Sequence, residues 1–332
     1  MRVPLTVAMT SYDHAQAITS GEVEIAGVDP VFIDIPIPES FRRFINNEDW
    51  DVAEMSSAQY LTRWASGDRR IAAVPVFTSR MFRHSCIYVR KDRIKTPEDL
   101  RGARIGTTEW ILTACVYARG MLADMYGIRP GDMTWVRAGM DRPGRAEAVL
   151  PPALPSDVSI THEPERTLQD MLWSGEIDAV MAPQYPLGFR TAAASGDLVG
   201  PLFDRPGEAE REYYAKTKVF PIMHMVGIRQ AVLDEHRWLA SNVYRAFEVA
   251  RRRYFARVED IAASRVPIPW VAGHLEQLRE VFGPDVWPYG IEANRTTLET
   301  FVRYAAEQGL ITDSGFDVAD LFTPVEPFVD GM

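Results

Sequence analysis

Two histidines of this chain stand inside strand-like apolar runs. His84 lies in T-S-R-M-F-R-H-S-C-I-Y-V-R and His224 in F-P-I-M-H-M-V-G-I-R. Histidine changes charge near neutrality without any perturbation, so one fixed on a strand is a candidate acid or base. His162, His236 and His274 have polar neighbours and read as surface residues. Glu54 and Glu109 each follow a strand-like run. A carboxylate there can hold a hydroxyl or move a proton, and a capping role competes with both. Arg80, Arg83, Arg142, Arg145 and Arg166 stand at strand ends or in loops. A planar guanidinium meets a carboxylate with two parallel hydrogen bonds, so several of them suit a dianionic ligand. Solvated surface charge is the competing reading, more so for Arg142 and Arg166 than for Arg83.

The composition narrows the classes. A chain of 332 residues is long for one core and comfortable for two, and 46% apolar with 25% charged residues is ordinary for a globular protein. A net charge of −10 argues against a nucleic-acid partner, which requires a basic patch. No run approaches the ~20 apolar residues of a membrane span, so no membrane partner is expected. Pro4 and the polar Ser11–His14 interrupt the first apolar run, which predicts a cytoplasmic protein without a leader. Cys86 and Cys115 read as buried thiols rather than a disulfide or zinc pair. Phosphate-cradling glycine loops, H-E-x-x-H and G-x-S-x-G are absent, so no nucleotide cofactor is indicated. A divalent metal stays open, because its ligands need not be close in sequence.

The elements that must position these residues alternate strand and helix, which predicts a mostly parallel sheet in each of two lobes. F-R-R-F-I-N-N-E-D-W-D-V-A-E-M-S-S and T-L-Q-D-M-L-W-S-G-E-I-D-A-V-M-A-P echo each other as helix, turn and strand. The strand ending near residues 89–91 reads as a first hinge, and F-P-I-M-H-M-V-G-I-R as a second crossing. Residues 1–88 and 226–332 then form lobe one, and 89–225 an inserted lobe two. Two α/β lobes joined twice describe a type 2 periplasmic-binding-protein-like fold with its cleft between the lobes. Ligands of open α/β sheets bind beyond the carboxyl ends of the strands, where helix N-termini converge. That rule selects Tyr12, Asp13 and His14; Glu54, Ser56 and Ser57; Arg80, Arg83, His84 and Ser85; Thr108, Glu109 and Thr113; and His224.

D-V-A-E-M-S-S, P-V-F-T-S-R-M-F-R-H-S-C-I-Y-V, L-R-G-A-R-I-G-T-T-E-W, L-T-A-C-V-Y-A-R-G-M-L-A-D-M-Y-G-I and F-P-I-M-H resemble the 4,5-dihydroxyphthalate decarboxylase family, from Ser11 to about Trp238. F-R-H-S and F-P-I-M-H are the most specific pieces. The resemblance implies a cytoplasmic enzyme on a solute-binding-protein fold that turns a dihydroxylated phthalate into protocatechuate and carbon dioxide. Such chemistry asks for cations facing two carboxylates, an acceptor for the hydroxyls and an acid near the ring carbon. Arg83 and Arg145 suit the first role, Glu54 or Glu109 the second, and His84 or His224 the third, with no organic cofactor. The same arginines would also serve a binding protein for an aromatic dicarboxylate without turnover. Oligomeric state is left open.

Overall fold

The computed structural model describes residues 2–144, 151–187, 198–263 and 265–328. Its strands are β1 (Val3–Ala8), β2 (Val28–Ile33), β3 (Val52–Ser56), β4 (Ile71–Arg80), β5 (Ile87–Arg90), β6 (Arg104–Thr107), β7 (Thr134–Gly139), β8 (Ser159–Thr167), β9 (Ala179–Met181), β10 (Val199–Pro201) and β11 (Ile222–Arg229). They form two sheets. One has the order β2-β1-β3-β11-β4, the other β10-β5-β9-β6-β7-β8. The second set is thus inserted in the sequence of the first.

Neither sheet is purely parallel. β1, β2 and β3 run together, as do β6, β7, β8 and β9. β11 is antiparallel to β3 and β4, and β5 to β9 and β10. These reversed strands are the ones that follow a change of sheet. Antiparallel neighbours need no crossover connection between them, unlike parallel ones.

The changes of sheet also fall earlier than the apolar runs indicate. The chain leaves the first sheet after Arg80 and joins the second at Ile87, so the first crossing is Met81–Cys86 rather than residues 89–91. It returns between Pro201 and Ile222, through the helix Pro206–Thr217, and F-P-I-M-H already belongs largely to the first sheet. The crossings lie side by side. The Met81 N–H donates to Pro221 O at 3.1 Å, and Phe82 stacks on Phe220 at 5.1 Å.

The carboxyl-terminal helices hold both halves. Helix Leu239–Glu259 packs on β4 and the turn Asp13–Ala15. Helix Arg295–Glu307 packs on helix Thr113–Tyr126, with Phe301 stacked on Tyr117 at 4.9 Å. Gly309 follows it with φ +75°, a left-handed stop open to glycine without strain. Arg119, fully buried, donates from Nε to Gln308 Oε1 at 2.7 Å and from Nη2 to Trp110 O at 2.6 Å.

Candidate active site

Every residue of β3 is buried, and one of them is an acid. Glu54 is 1% exposed. A carboxylate taken that far from water is severely destabilised unless donors replace its hydration. Strand alternation decides which donors reach it. β11 pairs with β3 so that His224 lies opposite Ser56 and Val226 opposite Glu54, which puts Glu54, Ser56 and His224 on one face. The Nδ1 of His224 lies 2.6 Å from Glu54 Oε1. The same oxygen accepts from the Tyr12 hydroxyl and from Thr78 Oγ1 at 3.3 Å. The other oxygen accepts from the Thr10 N–H at 3.4 Å.

Tyr12 completes a triangle, its hydroxyl 3.3 Å from His224 Nδ1. Burial, then the Glu54 charge, raises the Tyr12 phenol far above its ordinary value, so it stays protonated and donates to Glu54. With Nδ1 facing Glu54, Nε2 is the nitrogen of His224 left for a ligand. The His224 side chain is 14% exposed and meets the Phe41 ring edge-on at 4.7 Å. An enclosed carboxylate thus orients an imidazole that keeps a path outward.

The end of β3 ties the two halves together. Ser56 caps the helix Ser57–Ala65 by accepting from the Gln59 N–H at 3.4 Å. Its hydroxyl also lies 3.0 Å from Thr113 Oγ1, at the start of helix Thr113–Tyr126. Thr113 Oγ1 accepts from the Ala58 N–H at 3.1 Å. Ser57 Oγ donates to Met223 O at 3.0 Å.

Arg83 contacts the residue that precedes His224. Its Nε–H donates to Met223 Sδ at 2.9 Å, and it joins no ion pair among the described residues. Burial lowers its pKa, though an arginine stays charged at neutral pH.

No family model matches the chain. A 4,5-dihydroxyphthalate decarboxylase of Comamonas testosteroni is 38% identical over 325 residues, 97% of each chain. The chain belongs to the 4,5-dihydroxyphthalate decarboxylase family. A family member from Pseudomonas putida is 40% identical over 215 residues, 64% of this chain and 82% of its own. The aliphatic sulphonate binding protein SsuA of Escherichia coli superposes with a TM-score of 0.53 at 13% identity, covering 97% of this chain and 98% of its own. The fold is the type 2 periplasmic-binding-protein-like one.

Against this family background, the remaining residues singled out in the sequence divide by surroundings. Arg80 is buried, with Nη2 donating to Pro288 O at 2.8 Å and to Asn294 Oδ1. Burial pushes its pKa down to about 10. Its contacts tie β4 to the segment 288–294. His84 is 1% exposed, between Phe203 at 5.2 Å and Tyr213 at 5.7 Å, and neither ring nitrogen has a hydrogen-bond partner. Burial pushes its pKa down to about 4, so it is neutral at pH 7. His84 and His224 share neither a ring neighbour nor a hydrogen bond.

His14 lies beside Tyr12 at 5.3 Å and Trp287 at 5.5 Å, and burial, helped by the Arg251 charge, pushes it down to about 4. Asp13 is exposed and lines a surface pocket with Tyr254 and Arg257, away from Glu54. Ser85 is exposed, while Thr108 and Glu109 are buried. Arg142 is exposed, and Arg166 pairs with Glu176 through two hydrogen bonds of 2.6 and 3.1 Å at the surface. Arg145 lies outside the described residues. Among the described residues no three His, Cys, Asp or Glu side chains converge as metal ligands would, and no described helix is long and apolar enough to cross a membrane.

Sequence reasoning missed Thr10, Thr78, Phe41 and Met223. Thr78 carried a usable signal, a hydroxyl that directly follows the apolar run Val74–Phe77 of its strand. Phe41 and Met223 carry none, because contact with a functional side chain leaves no trace in the type of an apolar residue.

Proposed function

We propose that the protein decarboxylates 4,5-dihydroxyphthalate to protocatechuate and carbon dioxide, as a cofactor-independent carboxy-lyase. The likeness to a curated decarboxylase across 97% of both chains carries this reading. The geometry supports a route. A hydroxyl para to the leaving carboxylate pushes electrons to the ring carbon that bears it, and that carbon takes a proton. The C–C electron pair then returns to the ring as carbon dioxide departs, restoring aromaticity.

His224 supplies the proton from Nε2. Glu54 fixes the ring through Nδ1 and provides the counter-charge, and Tyr12 and Thr78 hold Glu54 in place. Glu54 is too enclosed to meet the substrate itself, so it is a positioning residue and His224 the catalytic one. Arg83 grips a carboxylate. Incubation with 4,5-dihydroxyphthalate tests the reading: equimolar carbon dioxide and protocatechuate are expected, and binding without turnover would replace the enzyme by a solute-binding protein.

A further inference from the structure

The buried arginines Arg80, Arg90, Arg119 and Arg251 all donate to oxygen acceptors. Arg83 does not. The one hydrogen bond of its side chain to a described residue runs from Nε to the thioether of Met223 at 2.9 Å. Its two terminal nitrogens bond no described residue and keep contact with solvent. Glu210 senses its charge but stays beyond ion-pair reach. Met223 is 1% exposed, its carbonyl is held by Ser57 Oγ at 3.0 Å, and it immediately precedes His224. A thioether is a weak, neutral acceptor. It can orient a guanidinium through Nε without cancelling the charge, which a carboxylate in its place would do.

We propose that Met223 is a positioning and specificity residue, whose sulfur fixes Arg83 so that the uncompensated terminal fork faces a carboxylate of the substrate. The decarboxylase reading supplies the substrate's identity, but the grip itself concerns any aromatic ortho-dicarboxylate.

Calorimetry with phthalate tests this apart from turnover. Met223→Leu keeps apolar volume, a class of change that cores tolerate well. It is expected to weaken phthalate binding about 3- to 10-fold, the range of one orienting hydrogen bond, and to raise KM for 4,5-dihydroxyphthalate rather than lower kcat. Met223→Gln restores an acceptor and should recover most of the affinity. In an Arg83→Ala background Met223→Leu should change nothing further, because a residue acting through Arg83 has no route left. Unchanged phthalate affinity in Met223→Leu overturns the proposal, and so does an equal loss in both backgrounds. A parent that binds phthalate with this pattern yet releases no carbon dioxide would remove the decarboxylase reading and leave the grip standing.

Discussion

Glu54 Oε1 and His224 Nδ1 are 2.6 Å apart, on adjacent antiparallel strands, with the acid 1% exposed and the imidazole 14% exposed. On the proposed reading the enclosed group orients and the outer one reacts. Glu54→Gln preserves shape but replaces a carboxylate oxygen by an amide that cannot accept from every present donor. Turnover is expected to fall about 10²-fold or more, at the lower end of what a lost acid–base function removes, with KM within a few fold. Steady-state kinetics on the folded variant checks this.

The histidines should separate. His224→Asn removes the proton donor and should lower kcat by about 10²–10⁴-fold. His84→Asn puts an amide among Phe203 and Tyr213 without hydrogen-bond partners. It should lower the unfolding free energy by about 1–3 kcal/mol while its folded fraction turns over near the parental rate. Kinetics paired with urea denaturation distinguishes the two. A His84 variant as inactive as the His224 one would return His84 to the chemistry.

His14 and His84, both pushed to about 4 by burial, tie stability to pH. Above the ordinary histidine value of 6.5 both states of the chain are neutral at these positions, and their full contribution is present. As pH falls from there toward 4, the unfolded chain takes up protons that the folded one refuses. Stability should therefore decline across that window, by up to about 1.4 kcal/mol per pH unit for each histidine. Urea midpoints between pH 7 and 4 measure it, and His84→Phe should flatten the slope.

Arg83→Lys keeps the charge and loses both the fork and the Nε contact with Met223. Hydrogen bonds to a charged group are each worth about 1.5–3 kcal/mol, so phthalate affinity should drop at least about tenfold. Calorimetry checks it, and parental affinity in the lysine variant would take Arg83 out of the site.

Much of this was legible in the sequence. Glu54 and His224 stood out as polar residues inside apolar strands, where only a functional or fully satisfied group persists. The two-sheet plan followed from the alternation of strands and helices. The apolar pattern puts the crossings several residues late, because Cys86–Val89 continues the apolar pattern of β4 while the break lies in the polar Arg83–Ser85. Arg80 and Arg83 are three residues apart and equivalent by type. Only their long-range contacts separate them: Arg80 reaches Pro288 O and Asn294, and Arg83 reaches the Met223 sulfur. Phe41 and Met223 look like core in the sequence and are core in the fold, so their contacts with His224 and Arg83 emerge only from coordinates.

The most direct measurement of the central claim is turnover of 4,5-dihydroxyphthalate in deuterated water, with the parent and His224→Asn compared by proton NMR. The parent should release protocatechuate carrying one deuterium, at the ring carbon ortho to the retained carboxylate and para to a hydroxyl. His224→Asn should give the same product about 10²–10⁴-fold more slowly. Parental rates in His224→Asn, or product without deuterium at that carbon, would contradict protonation of the ring by His224.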